Sequence, residues 1–156
     1  MAPIHRSSIN IIVSANYGYV IGTALFMYFG QTIGCAVPVV MWRNKTGIKA
    51  PLMDPTDADI KRLKISDADL NHYRCVQRGH LNNVEFQSHF LPLFLIAGAF
   101  PENTLKVAYA GVALTCIRMF GALGYPYGVR KFSGVFHFAE WYILYLLGAS
   151  AVAMTK

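Results

Sequence analysis

Length, composition and charge restrict the class of protein before any motif is considered. The chain has 156 residues, enough for one domain, and it is 54% hydrophobic but only 14% charged. Soluble domains have about 25% charged residues, so a soluble fold of this size would leave too much apolar surface in water. The composition therefore argues against a soluble protein and predicts an integral membrane protein.

Charged residues are confined to stretches between four long apolar runs. Asp, Glu, Lys and Arg are absent from positions 7–42 and 86–101, and Arg118 and Glu140 are single charges within the two later runs. A membrane-spanning helix needs about 20 mostly apolar residues. The pattern predicts an all-α fold, an integral membrane four-helix bundle that forms a single domain over residues 1–156. Its helices are predicted at residues 17–42, 74–100, 103–125 and 131–154.

The first predicted helix contains two pairs of glycines four residues apart, Gly18 with Gly22 and Gly30 with Gly34. Small residues at this spacing let membrane helices approach closely, although the pattern alone is weakly specific. The N-terminus has a single Arg and no clear small-residue cleavage site. The first helix is therefore expected to act as an uncleaved signal anchor.

The first connection, residues 43–73, is long and polar, with two Asp-Ala-Asp turns around a basic stretch. Side chains that accept a hydrogen bond from the first turn of a helix mark helix starts. Thr56 or Asp57 is thus expected to cap a short interfacial helix. Ser66 or Asp67 is expected to cap the start of the second membrane helix.

Basic residues suggest an orientation in the membrane. Eight of the fourteen Lys and Arg lie between positions 43 and 78, and Arg130 and Lys131 lie in the third connection. With four spans these two connections share a side, which the positive-inside rule places in the cytosol or the mitochondrial matrix. Both termini then lie opposite. The expected location is the endoplasmic reticulum or a mitochondrial membrane, with lipid as the surroundings and no nucleic-acid partner.

Four polar side chains are predicted to lie on one face of the second helix. They follow one another at spacings of four, three and four residues, as Arg78, Asn82, Glu85 and His89. Ionisable groups are costly in lipid and usually face a partner or a cavity. Two interpretations stay open. The stripe binds a zwitterion that carries carboxylate and ammonium groups, or it forms an interhelical seam in which Glu85 pairs with Arg118.

The other ionisable residues of the apolar runs support no metal site, because no set of Cys, His and carboxylate residues has metal-ligand spacing. His89 is expected to be a hydrogen-bonded interior histidine. Glu140, with His137 one turn earlier, fits an interhelical polar contact, a contact with a partner protein, or a contact with a lipid headgroup.

The segment "RCVQRGHLNNVE", residues 74–85, resembles the signature of the MAPEG family, the membrane-associated proteins in eicosanoid and glutathione metabolism. The signature reads Arg-small-His/Gln-x-Asn-x-x-Glu at the start of the second helix. The four-helix layout, the basic first connection and an Arg seven residues before a Tyr in the third helix also agree. The matching signature positions are Arg78, Gly79, His80, Asn82 and Glu85.

The resemblance implies a homotrimer that binds glutathione, as a co-substrate, between neighbouring subunits near the cytosolic helix ends. It implies a glutathione-dependent transferase or peroxidase that acts on lipophilic electrophiles or lipid hydroperoxides. Arg130 would be the catalytic residue that stabilises the glutathione thiolate. The implied glutathione-binding residues are Arg43, Arg78, His80, Asn82, Glu85, Arg118 and Tyr125.

Some positions depart from the family pattern. Gly121 stands where some members have Tyr, and Phe86 lacks the hydroxyl that some members carry after the Glu. The first Pro after the motif is Pro92, later than the usual three or four residues. These departures and Glu140 favour an alternative: a non-catalytic accessory subunit of a larger membrane complex, for example a mitochondrial respiratory or ATP synthase assembly. A transporter is disfavoured because inverted repeats are lacking.

Overall fold

A computed structural model describes residues 14–129, 134 and 137–155. Every regular element in these residues is helical, and the prediction of an all-α bundle is confirmed. The N-terminal segment before Ser14 and the proposed catalytic Arg130 lie outside the described residues. The elements are α1 (Tyr17–Met27), a π-helical segment (Tyr28–Gly34), α2 (Cys35–Thr46), α3 (Asp57–Leu63), α4 (Asp67–Ala99), α5 (Thr104–Gly124), a 3-10 turn (Tyr125–Tyr127) and α6 (Phe138–Ala153).

Two helices of the described chain are long and apolar enough to cross a membrane. They are the continuous rod Tyr17–Thr46, made of α1, the π-helical segment and α2, and the helix Thr104–Tyr127. A shorter apolar helix is α6. Large apolar side chains cover the outside of these helices, among them Tyr19, Phe29, Met41, Phe120 and Tyr145.

The first rod extends beyond its predicted end at position 42 and stops at Thr46. Of its four paired glycines, Gly30 makes the tightest contact inside the chain, with a flexible methionine side chain. A Cβ atom on Gly30 would lie 2.6 Å from the sulfur of Met119 on α5, whereas Gly18 and Gly22 have no neighbour within 4 Å. The last residue of α1, just before the π-helical segment, bonds a buried side-chain amide of α4. The Gln87 Nε2 donates to the Met27 carbonyl at 2.7 Å.

The second long helix, α4, begins earlier than the predicted position 74. Ser66 is its N-cap and accepts a hydrogen bond from the Asp69 amide at 3.1 Å, and Thr56 caps α3 with a capping box, so both predicted caps are confirmed. At a rise of 1.5 Å per residue, 33 residues span about 50 Å. The hydrocarbon core of a bilayer is about 30 Å thick. The polar first turns of α4 therefore extend beyond it.

The first and third connections meet at this end of the bundle. Asp54 of the first connection pairs with Arg74 at 2.8 Å, and Met53 accepts a hydrogen bond from the Tyr73 hydroxyl at 2.9 Å. The ring of Tyr127 lies edge-on to that of His72, with centroids 5.6 Å apart. The two connections thus share one end, as the count of helices predicted.

A tight contact sets the spacing of α4 and α5. A Cβ atom on Gly79 would lie 2.8 Å from the carbonyl oxygen of Ala122, so the backbones approach as closely as glycine allows. Below this contact a buried core joins α1, α4, α5 and α6. Its largest members are Met27, Phe90, Phe94, Leu114 and Ile143.

Candidate functional site

A cavity of about 480 Å³ lies between α4, α5 and α6, beside the contact of Gly79 with Ala122. Part of its lining is apolar, formed by Phe86, Phe90, Leu93 and Leu144. The rest is polar and includes Asn82, Glu85, Arg118 and Tyr125, four of the residues predicted to bind glutathione. The cavity thus brings ionisable groups and an apolar wall together within one chain.

Arg118 is held in the cavity by α4. Its Nη2 donates to the Asn82 carbonyl at 3.1 Å, and its guanidinium carbon lies 3.6 Å from the centroid of the Phe86 ring. Its Nε is buried and has no hydrogen-bond partner among the described residues. An unsatisfied buried N–H is unfavourable by about 1–3 kcal/mol, so the hydrogen bonding of Arg118 is incomplete among the described residues.

The predicted interhelical ion pair between Glu85 and Arg118 is not formed in this structure, so that prediction is wrong. Glu85 instead lies 3.5 Å from Arg78, seven residues earlier on the same helix face. Both side chains are more than half exposed, whereas Arg118 is partly buried at the backbone of Asn82. The rotation of α4 explains the difference, because it turns the Asn82 carbonyl and Phe86 toward α5 and leaves Glu85 on the open edge.

His89 lines the cavity but is exposed, so the expectation of an interior histidine is wrong for the single chain. Its Nδ1 lies 2.8 Å from the carbonyl oxygen of Glu85 and 3.0 Å from the hydroxyl of Ser88. The carbonyl can only accept a hydrogen bond, so Nδ1 carries the proton in that contact. The hydrogen bonding is therefore local to one turn of α4.

The first turn of α6 adds an acid–base pair to the cavity. His137 Nδ1 lies 2.7 Å from Glu140 Oε2, and both residues line the cavity. The pair forms within one helix, across three residues, rather than between helices. The signal in the sequence was a carboxylate inside an apolar run with a histidine one turn earlier, but its position beside α4 and α5 was not predictable from that spacing.

Three predicted site residues that the structure describes, Arg43, Arg78 and His80, do not line the cavity, although Arg78 lies 3.5 Å from Glu85 of its lining. Arg43 lies with its guanidinium carbon 5.8 Å from the Tyr73 ring centroid, and its buried Nη1 has no hydrogen-bond partner in the part of the chain that the structure describes. The buried Nδ1 of His80 likewise has no hydrogen-bond partner among the described residues. Neither residue lines the cavity. Arg130 lies outside the described residues.

The described residues contain no group of three or more His, Cys, Asp or Glu side chains that could hold a metal ion.

A comparison with models of protein families shows which family the chain belongs to. The MAPEG family model matches residues 21–153, which include every helix that forms the cavity. No curated protein and no solved structure matches the chain at a significant level. MAPEG proteins are membrane helical bundles that in general use glutathione, and this agrees with the helical fold and the two apolar spans. Because the match covers most of the sequence, the chain belongs to the MAPEG family.

Proposed function

We propose that this protein is a glutathione-dependent membrane transferase or peroxidase that acts on lipophilic electrophiles or lipid hydroperoxides. The observation that carries the proposal is the cavity, in which Arg118, Asn82 and Glu85 adjoin an apolar wall. Glutathione needs the charged part, and a lipophilic co-substrate needs the apolar part. Membership of the MAPEG family supports the same chemistry.

The charges of glutathione match the side chains at the site. Its two carboxylates suit the guanidinium forks of Arg78 and Arg118, and its ammonium group suits Glu85. The exposed contact between Arg78 and Glu85 is weak in water, so a zwitterion can replace it by two stronger contacts. Asn82 and Tyr125 add neutral hydrogen-bonding groups at the same cavity.

The reacting species is the glutathione thiolate, because the thiol itself is a poor nucleophile. A cation beside the sulfur favours the thiolate and stabilises charge during attack. We assign this role to Arg130, which follows Tyr125 by five residues in the third connection.

The finer assignments follow the same resemblance. The "CVQ" before the signature is most like microsomal glutathione transferase type 3. We propose a homotrimer in which Arg43 and His80 complete sites between neighbouring subunits. The trimer resides in the endoplasmic reticulum or a mitochondrial membrane. The basic connections face the cytosol or matrix, and both termini lie on the opposite side.

The test is calorimetric titration of glutathione into the full chain purified in mild detergent. We expect saturable binding that Arg78→Ala and Glu85→Gln each weaken by about 1.5–3 kcal/mol, the range for a hydrogen bond to a charged group. Arg74→Ala is the matched control, because Arg74 is an exposed arginine of the same helix that pairs with Asp54, whereas Arg78 contacts Glu85 of the cavity lining. The Arg74→Ala variant should bind glutathione with the same affinity as the unmodified chain.

If a folded, homogeneous sample binds no glutathione, the proposed enzymatic function is rejected. The alternative, a non-catalytic accessory subunit of a larger membrane complex, would then hold. Gly121, Phe86 and the late Pro92, which depart from the family pattern, favour that alternative. Isolation as a complex with unrelated membrane subunits would support it further.

A further inference from the structure

The pair of His137 and Glu140 has no part in the function proposed above. We propose that His137 is the general acid for hydroperoxide reduction in this cavity and that Glu140 positions its imidazole. The inference rests on the proposed function, which it narrows to one substrate class: organic hydroperoxides dissolved in the bilayer.

The geometry of the imidazole supports a directed proton donor. His137 Nδ1 lies 2.7 Å from Glu140 Oε2, and a carboxylate only accepts, so Nδ1 carries a proton. The ring also lies nearly parallel to that of Trp141, with centroids 6.0 Å apart and 20° between the planes. Two neighbours thus define the orientation of the ring, and Nε2 is the nitrogen that remains to carry the transferable proton.

Exposure and charge suit the exchange of protons. The His137 side chain is 43% exposed and that of Glu140 is 19% exposed, so the imidazole can regain a proton from solvent while the carboxylate stays sheltered. The carboxylate also attracts the positive charge of the imidazolium. Other charged or titratable groups line the cavity from each packed element: Glu85 and His89 of α4, Arg118 of α5 and Tyr125 of the following turn.

A hydroperoxide needs a proton at its leaving group. The glutathione thiolate attacks one peroxide oxygen, an S–O bond forms, the O–O bond breaks, and its electron pair leaves on the alkoxide. The alkoxide takes the Nε2 proton of the His137 imidazolium and becomes the alcohol. The resulting glutathione sulfenic acid reacts with a second glutathione thiol, which yields the disulfide and water. Solvent then returns a proton to His137.

Displacement of chloride from an aromatic ring by glutathione is the control reaction for peroxide reduction, because chloride leaves without taking up a proton. Both reactions need bound glutathione and its thiolate, but only peroxide reduction needs a general acid. The two activities of one protein sample therefore separate proton donation from binding and from thiolate formation.

The experiment compares glutathione-dependent reduction of cumene hydroperoxide with conjugation of 1-chloro-2,4-dinitrobenzene by the full chain in detergent. We expect His137→Gln to lower kcat for the hydroperoxide by about 100-fold, the lower range for general acid catalysis. Conjugation and calorimetric affinity for glutathione should change less than about threefold. Glu140→Gln should lower the peroxidase rate less and spare conjugation in the same way.

A control variant completes the test. His72→Gln is the control, because the His72 ring stacks on Trp42 and does not line the cavity. It should retain both activities.

Two results separate the inference from the function on which it rests. Glutathione binding and conjugation with no peroxidase activity, or with equal losses of both activities in His137→Gln, overturn the general acid and leave the transferase intact. Absence of glutathione binding in the unmodified chain overturns the proposed function itself.

Discussion

Arg118 shows how residues of α4 fix one side chain of α5 at the cavity. One terminal nitrogen donates to the Asn82 carbonyl, and the guanidinium stacks on Phe86. These contacts offset part of the unfavourable placement of a cation in a membrane helix. The buried Nε stays without an acceptor among the described residues. The contacts therefore fix the guanidinium in position at the cavity.

This arrangement predicts an effect for Phe86, which has no polar atom. We expect Phe86→Leu to weaken glutathione binding by about 0.5–2 kcal/mol, the strength of a cation–π contact, as measured by calorimetry. Phe94→Leu is the control, because Phe94 lies in the core on the same helix and does not line the cavity. Equal affinity losses in the two variants would show that the ring does not act through Arg118.

At the scale of elements, the polar end of α4 is joined to the end of α2 by an ion pair. Lys45 Nζ lies 2.7 Å from Asp69 Oδ1, and the Ser66 hydroxyl donates to the other carboxylate oxygen at 3.0 Å. The hydrogen bond from Lys45, and then that from Ser66, hold the pKa of Asp69 below its ordinary value of 3.8. The ion pair therefore helps to order the long first connection.

The lowered pKa predicts how stability depends on pH. The contribution of Asp69 is fully present above its unfolded pKa of 3.8 and is lost as the pH falls through the lower folded value. Lys45→Gln should therefore lower the midpoint of thermal unfolding at pH 7, with a smaller difference from the unmodified chain once the pH is well below 3.8. Circular dichroism in detergent would measure both midpoints.

Lys49→Gln is the control for this prediction, because Lys49 is an exposed lysine of the same connection with no ion pair among the described residues. A difference for Lys45→Gln that is equally large in acid would mean that the stabilisation does not depend on the Asp69 carboxylate.

At the scale of the whole molecule, three helices cross at Gly111. A Cβ atom there would lie 2.5 Å from the Phe94 ring of α4 and 2.8 Å from the Thr23 methyl group of α1. Thr23 also donates its hydroxyl proton to the Ala108 carbonyl at 3.4 Å. Glycine is thus required by the packing of α5 against two neighbours, and the same packing sets the position of Arg118 farther along α5.

Gly111→Ala should consequently destabilise the bundle. Overpacking in a core is unfavourable by about 1–3 kcal/mol, which exceeds the gain of about 1 kcal/mol in helix propensity. Gly148→Ala is the matched control, since Gly148 lies in α6 with no neighbour within 4 Å. Thermal unfolding should show a lower midpoint for Gly111→Ala and an unchanged or higher one for Gly148→Ala. A lower midpoint for Gly148→Ala than for Gly111→Ala would contradict the close packing of three helices at Gly111.

Several features were predictable because they are local or compositional. The scarcity of charge indicated a membrane bundle, and helical periodicity placed Arg78 and Glu85 on one face, where they are in contact. Ser66 and Thr56 were recognised as caps from their side-chain chemistry. The apolar run placed the membrane span of α4 from position 74, whereas the cap at Ser66 marks where the helix itself begins.

The arrangement of the cavity was decided by tertiary structure. The spacing of Arg118 from Glu85 is compatible with an ion pair, but the rotation of α4 presents the Asn82 carbonyl and the Phe86 ring to it instead. The sequence by itself determined the membrane bundle, the signature and the polar stripe, since these depend on composition and on one helix at a time. Only the packing of α6 against α4 and α5 brought Glu140 to the same cavity, because helix rotation and depth depend on interlocking side chains from distant parts of the chain.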